Sequence, residues 1–178
     1  MYVSRPPSPG RGFTWPLLTM AMVPAVPGTL WCGAEFYGPP EYNSLVLVER
    51  YLEKYPEDTN KIILAVKGGV NYQAGKIVGS PENTRRSIDD STAQLKGRTK
   101  MDLFGYGRRD RNVPLEVSLG VVDQEYVQPG KLGGLLLSEV RAETIHEAVK
   151  HTRVLGVEVE LSLYVSYKPF DQSFRWSY

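Results

Sequence analysis

This chain of 178 residues has only one cysteine and two histidines. A lone Cys32 cannot build a disulfide framework. With only His146 and His151 beside it, it also falls short of the ligand sets that structural zinc requires, so no metal is expected. A long hydrophobic run is missing as well: the apolar stretch from Trp15 to Val26 is broken by Pro16 and Pro24. A signal peptide needs an unbroken apolar segment, and a membrane span about 20 apolar residues. Charge of one sign is lacking too. Lys plus Arg number 21 against 20 for Asp plus Glu. That balance excludes the electrostatic footprint of a nucleic-acid or anionic-membrane binder. Arg108-Arg109-Asp110-Arg111 and Arg85-Arg86 read as solvated loop and helix surface. Such a chain suits a reducing compartment, and a cytoplasmic location is expected.

What is present is regular alternation. Residues 1–28 carry prolines at 6, 7, 9, 16, 24 and 27, and read as a degraded, poorly ordered segment. From Thr29 onward, apolar runs near 29–32, 62–67, 101–106, 133–137 and 157–163 predict strands. Ile62-Ile63-Leu64-Ala65-Val66 is continuous rather than alternating, as in a strand buried on both faces. Helices are predicted between the strands. One is capped by Asn43 or Ser44, with Leu45, Val48, Tyr51, Leu52 and Tyr55 on one stripe. A second starts at Ser80-Pro81-Glu82, turns Ile88, Thr92 and Leu95 inward and stops at Gly97. A third runs from about Pro114 to Val127, and a fourth from Ala142 to His151.

Strand–helix alternation with short connections means a parallel sheet in an α/β architecture. No Gly-x-Gly-x-x-Gly follows any strand, so the fingerprint of the open dinucleotide-binding sheet is missing. The alternative is a barrel of eight βα units, typically about 250 residues. The expectation is an incomplete (β/α)8 TIM-type barrel over 29–163, with roughly the first five or six units. Residues 164–178 form a tail.

In a barrel, chemistry sits at the C-terminal ends of the strands. Tyr37 follows the first strand, Lys67 ends the second, and Gly107 follows the third. An ammonium beside a phenol makes the phenol a better proton donor, which is what reduction of a carbonyl requires. Spacing alone leaves the ordinary reading open, a core ring with a wetted hydroxyl beside a solvated lysine.

Long blocks of sequence sharpen this. Glu35-Phe36-Tyr37-Gly38-Pro39-Pro40-Glu41-Tyr42-Asn43-Ser44, Val66-Lys67-Gly68-Gly69, Gly79-Ser80-Pro81-Glu82-Asn83, Asp102-Leu103-Phe104, Asn112-Val113-Pro114-Leu115-Glu116 and Leu137-Ser138-Glu139-Val140 occur in order. Together they resemble the aldo-keto reductases, and among them the fungal pyridoxal reductase branch. The resemblance implies a barrel that reduces small aldehydes with NADP(H) through an Asp, Tyr, Lys, His tetrad. Tyr37 matches the proton donor and Lys67 its modulator. Cys32 stands where the aspartate would be, and a thiol cannot replace a carboxylate paired with lysine. Gly107 stands where the histidine would be.

For the cofactor, the resemblance implies Ser138, Glu139 and Glu158 near the nicotinamide. Ser138 reads equally as a helix N-cap. Tyr167 matches a stacking tyrosine of the family's seventh strand if residues 164–178 are that strand displaced, and is otherwise part of an unrelated tail. No segment corresponds to the family's phosphate-binding residues. A non-catalytic remnant or interaction module is therefore the alternative function, with self-association through exposed sheet edges.

Overall fold

The computed structural model describes residues 29–159. The expectations for 1–28, for Tyr167 and for the tail lie outside the described residues.

Five parallel strands form the sheet: β1 (Thr29–Ala34), β2 (Ile62–Gly68), β5 (Leu103–Tyr106), β6 (Gly134–Ser138) and β7 (Val154–Glu158), in the spatial order β1-β2-β5-β6-β7. Each neighbouring pair is parallel, with Cys32 opposite Ala65, Ala34 opposite Lys67, and Ser138 opposite Glu158. Two strands of two residues each, β3 (Val70–Asn71) and β4 (Lys76–Ile77), make a small antiparallel hairpin that the periodicity did not announce. They are too short to carry a hydrophobic pattern.

The helices are α1 (Ser44–Lys54), α2 (Pro81–Gln94), α3 (Leu115–Val122) and α4 (Ala142–Ala148). Helix α3 runs on as a π-helical turn over Asp123–Val127. Asn43 caps α1 by accepting from the Leu45 and Val46 amides, 3.0 Å each, and Ser80 caps α2 by accepting from the Asn83 amide. The last strand lies earlier than expected, at 154–158 rather than 157–163, and residues 160–163 are not among those described.

One expected inward residue is outward. Thr92 is exposed, and its hydroxyl donates back to the Ile88 carbonyl. The buried face of α2 is instead Thr84, Ser87, Ile88 and Ser91, followed by Leu95. Small hydroxyl residues let the helix approach the sheet closely, and such a face leaves little apolar periodicity to read.

Residues of all four helices join the strand residues Leu64, Val66, Phe104, Leu135 and Leu137 in one large buried cluster. Ala65, Leu103 and Leu136, flanked by Leu30 and Cys32, form a separate small cluster with no helix residue in it. Side chains alternate along a strand. The two clusters are therefore the two faces of one sheet. Lys67, two residues after Ala65, shares the helix-free face and lies at its C-terminal edge.

Candidate active site

The turn after β1 places Tyr37. The Ser44 hydroxyl donates to the Ala34 carbonyl (2.9 Å) and accepts from the Ala34 amide (2.8 Å). The Tyr37 amide donates to the Ala34 carbonyl at 3.2 Å, and the Tyr37 carbonyl accepts from the Ser44 amide at 3.0 Å. Gly38 makes the turn possible. Its φ is +104°, and a Cβ there would lie 2.8 Å from the Tyr42 carbonyl oxygen.

Glu35 anchors the same turn. Its carboxylate is buried, accepts from the Val70 amide (2.9 Å) and the Ser87 hydroxyl (3.0 Å), and pairs with Arg86 at 3.3 Å. Arg86 also donates to the Val70 carbonyl. This corrects the reading of Arg85-Arg86 as plain solvated surface. Arg85 is ion-paired with Glu125 near the surface, but Arg86 neutralises a buried carboxylate. The two partners lie 51 residues apart, and no local spacing signals them.

Lys67 is buried, with its Nζ 5.1 Å from the centre of the Tyr37 ring. Nζ donates to Glu158 Oε1 at 2.9 Å, reaching across from β2 to β7. Burial alone would push the lysine pKa down. Hydrogen bonds to Tyr37 and Glu158 outweigh it and hold the ammonium above its ordinary range. Glu158 Oε2 is buried without a hydrogen-bond partner among the described residues.

Cys32 is half-buried on β1. Burial first, and then the Glu158 carboxylate, push its thiol pKa up, while Lys67 pulls it down. The net direction keeps it a neutral thiol at physiological pH. Gly107 donates its amide to the Gly68 carbonyl, 3.1 Å. Its missing side chain is replaced by packing: a Cβ would meet Phe36 Cζ at 2.7 Å and Ile77 Cδ1 at 3.2 Å. The Phe36 ring fills the space that a larger residue would need.

Ser138 is buried at the end of β6 and lines a small cavity with Tyr106, Asp110, Ser118 and Thr144. Glu139 has φ +51°, an uncommon conformation outside glycine, and its amide donates to the Glu158 carbonyl at 2.9 Å. The structure thus brings Tyr37, Lys67, Cys32 and Glu158 together, and sets Ser138 and Glu139 beside Glu158 on the neighbouring strand. Among the described residues, no group of three or more His, Cys, Asp or Glu could hold a metal ion, and no helix is long and apolar enough to cross a membrane.

A parallel sheet with helices on one face and polar groups at its C-terminal edge defines part of a βα barrel. Residues 18–173 match the aldo/keto reductase family, and the chain belongs to it. It is 37% identical over 136 residues to "Probable pyridoxal reductase 2" of Schizosaccharomyces pombe, covering 75% of this chain and 40% of that protein. An aldo-keto reductase of Gibberella moniliformis is 33% identical over 137 residues, covering 76% of this chain and 40% of that protein. The chain therefore spans about two-fifths of the length of these relatives. Among solved structures, a glycerol dehydrogenase of Gluconobacter oxydans shares the fold, with TM-score 0.59 and 24% identity over 72% of this chain and 39% of that one. A thermostable aldo-keto reductase solved with the inhibitor epalrestat does so too, with TM-score 0.53 and 18% identity over 67% of this chain and 39% of that one.

Proposed function

We propose that the Tyr37–Lys67 pair is the proton-donating site of an NADP(H)-dependent reduction of pyridoxal or a similar small aldehyde. The supporting observation is the buried Lys67 ammonium lying 5.1 Å from the Tyr37 ring centre. As hydride arrives at the carbonyl carbon, the oxygen becomes an alkoxide and takes a proton from the Tyr37 hydroxyl. Lys67 stabilises the phenolate left behind. NADPH supplies the hydride when bound. Ser138 and Glu139 are the residues on β6 suited to its nicotinamide end, a buried hydroxyl and a backbone turn beside the pair. Gly107 contributes no side chain, so Tyr37 is the acid by itself. We place this chemistry in the cytoplasm, where a lone unpaired Cys32 is at home.

A second reading has its own support. Among the described residues the sheet ends at β1 and β7, whose Leu155 and Val157 are exposed, and unpaired edges invite a partner strand. On this reading the chain is a non-catalytic interaction module of the family, and association through those edges is its role.

Incubation of the purified chain with NADPH and pyridoxal separates the two. Hydride transfer needs the cofactor held within near-attack distance. The reductase reading expects saturable NADPH fluorescence enhancement and pyridoxal-dependent NADPH oxidation, the latter falling at least about 100-fold in Tyr37→Phe. No NADPH binding, together with a concentration-dependent rise in mass by light scattering, would select the interaction module.

A further inference from the structure

We propose that Glu158 is the positioning residue for Lys67, holding its ammonium against Tyr37 from the far strand of the sheet. This rests on the reading of Tyr37 and Lys67 as the proton-donating pair.

Lys67 leaves β2 on the helix-free face and is only 5% exposed. A buried ammonium needs an anion or enough hydrogen bonds to replace its water. Its carboxylate partner is Glu158, 91 residues away in sequence, at 2.9 Å. The groups that meet the ammonium come from two directions: Tyr37 from the turn after β1, and Glu158 from β7. Cys32, on β1, adds a thiol rather than a charge, since burial and Glu158 both raise its pKa.

The backbone of Glu158 is fixed on both counts that matter. It pairs with Ser138 in the sheet register, and its carbonyl accepts the Glu139 amide at 2.9 Å. Glu139 adopts φ +51° where that bond is made, a conformation that costs energy outside glycine and persists only where the surroundings hold it. The carboxylate spends one oxygen on Lys67 and leaves the other, Oε2, buried and unpartnered among the described residues. The Glu158 side chain is 39% exposed as a whole, yet this oxygen is shielded from water. Here the side chain gives up solvation at one oxygen to place the other on the lysine.

The chain's single cysteine makes the arrangement testable without cofactor or substrate. Cys32 is influenced in opposite senses by Glu158 and Lys67. Iodoacetamide alkylation of the full chain is followed against pH for the natural sequence, Glu158→Gln and Lys67→Met, with circular dichroism confirming that each variant is folded. Glu158→Gln should shift the alkylation profile to lower pH and speed the neutral-pH reaction at least about threefold, because thiolate fraction governs the rate. Lys67→Met should shift it to higher pH, a direction that loosening of the fold cannot produce, since exposure lowers a thiol pKa raised by burial. In parallel, the lysine ε-carbon signal assigned by its loss in Lys67→Met should titrate at lower pH in Glu158→Gln. An unmoved lysine titration, or a cysteine profile that shifts the same way in both variants, overturns the proposal. If both profiles shift as stated while pyridoxal reduction is absent, the pairing stands and the reductase reading alone falls. Reduction that persists with an unmoved lysine titration does the reverse.

Discussion

The two faces of the sheet are built on different terms. The helix side buries nineteen hydrophobic residues in one cluster among the described residues, drawn from β2, β5 and β6 and from every helix. The opposite side buries three, Ala65, Leu103 and Leu136, before giving way to Lys67 and Glu158 at its edge. Area removed from water dominates folding, so the helix side carries the stability. The other side carries a charged pair whose geometry depends on distant strands. Stability and candidate chemistry are thus separated by the thickness of one β-sheet.

Adjacent residues of β6 test the separation most directly. Leu135 is fully buried in the large cluster, and Leu136, facing the other way, is 4% exposed in the small one. Leu135→Ala should cost about 4 kcal/mol and Leu136→Ala about 2 kcal/mol, the upper and lower parts of the range for such truncations. Urea denaturation of both variants measures the difference. Equal losses would mean that the helix-free face is packed as a second core.

The same separation decided what could be read from the sequence. On the helix side the residues announce themselves. Ile62–Val66 is a continuous apolar run, Leu45, Val48 and Leu52 fall on one helical stripe, and Asn43 and Ser80 cap their helices. All five strands of the main sheet are visible in the sequence, though β7 begins three residues earlier than the apolar pattern suggests, because Val159 continues the alternation of Val157 past the element's end. The candidate site is suggested by the ends of the strands and, more sharply, by the family's blocks, which single out Tyr37 and Lys67. What could not be read is what the remaining positions do. Glu158 drew attention as a cofactor residue, while the structure sets it on Lys67, and Glu35–Arg86 gave no signal at all. Both pairs join residues more than fifty positions apart, and local periodicity carries no information at that range.

A tighter probe asks whether the site's edge is loosely built or only sparsely apolar. A Cβ on Gly107 would lie only 2.7 Å from Phe36 Cζ. Gly107→Ala should cost about 1–3 kcal/mol, the usual range for overpacking. Phe36→Leu in the same chain should recover part of that loss, and the double-mutant cycle measures the coupling. A cost near zero would show that Phe36 moves freely, and that Gly107 leaves room beside Tyr37 after all.

The smallest effect is in the pH dependence, where one buried charged pair on each face should act on opposite limbs. On the helix side Glu49 of α1 is buried and paired with Arg98 at 3.0 Å and Lys96 at 3.4 Å. The Arg98 hydrogen bond, joined by Lys96 and against the pull of burial, holds its carboxyl below the ordinary range. A carboxylate with a depressed folded pKa stabilises fully above the unfolded value, about 4.3. That contribution is lost as pH falls through the folded value, because the unfolded chain then binds the extra proton. Lys67 behaves in mirror image: its pKa is raised in the folded chain, so its contribution is present below the unfolded value, about 10.4, and fades as pH rises through the folded one. Urea midpoints measured across pH should therefore fall less steeply on the acid side in Glu49→Gln, and less steeply on the alkaline side in Lys67→Met. Each variant should leave the other limb as it was. A flattened alkaline limb in Glu49→Gln would show that the charges on the two faces are coupled through the sheet, and the division of labour drawn above would fail.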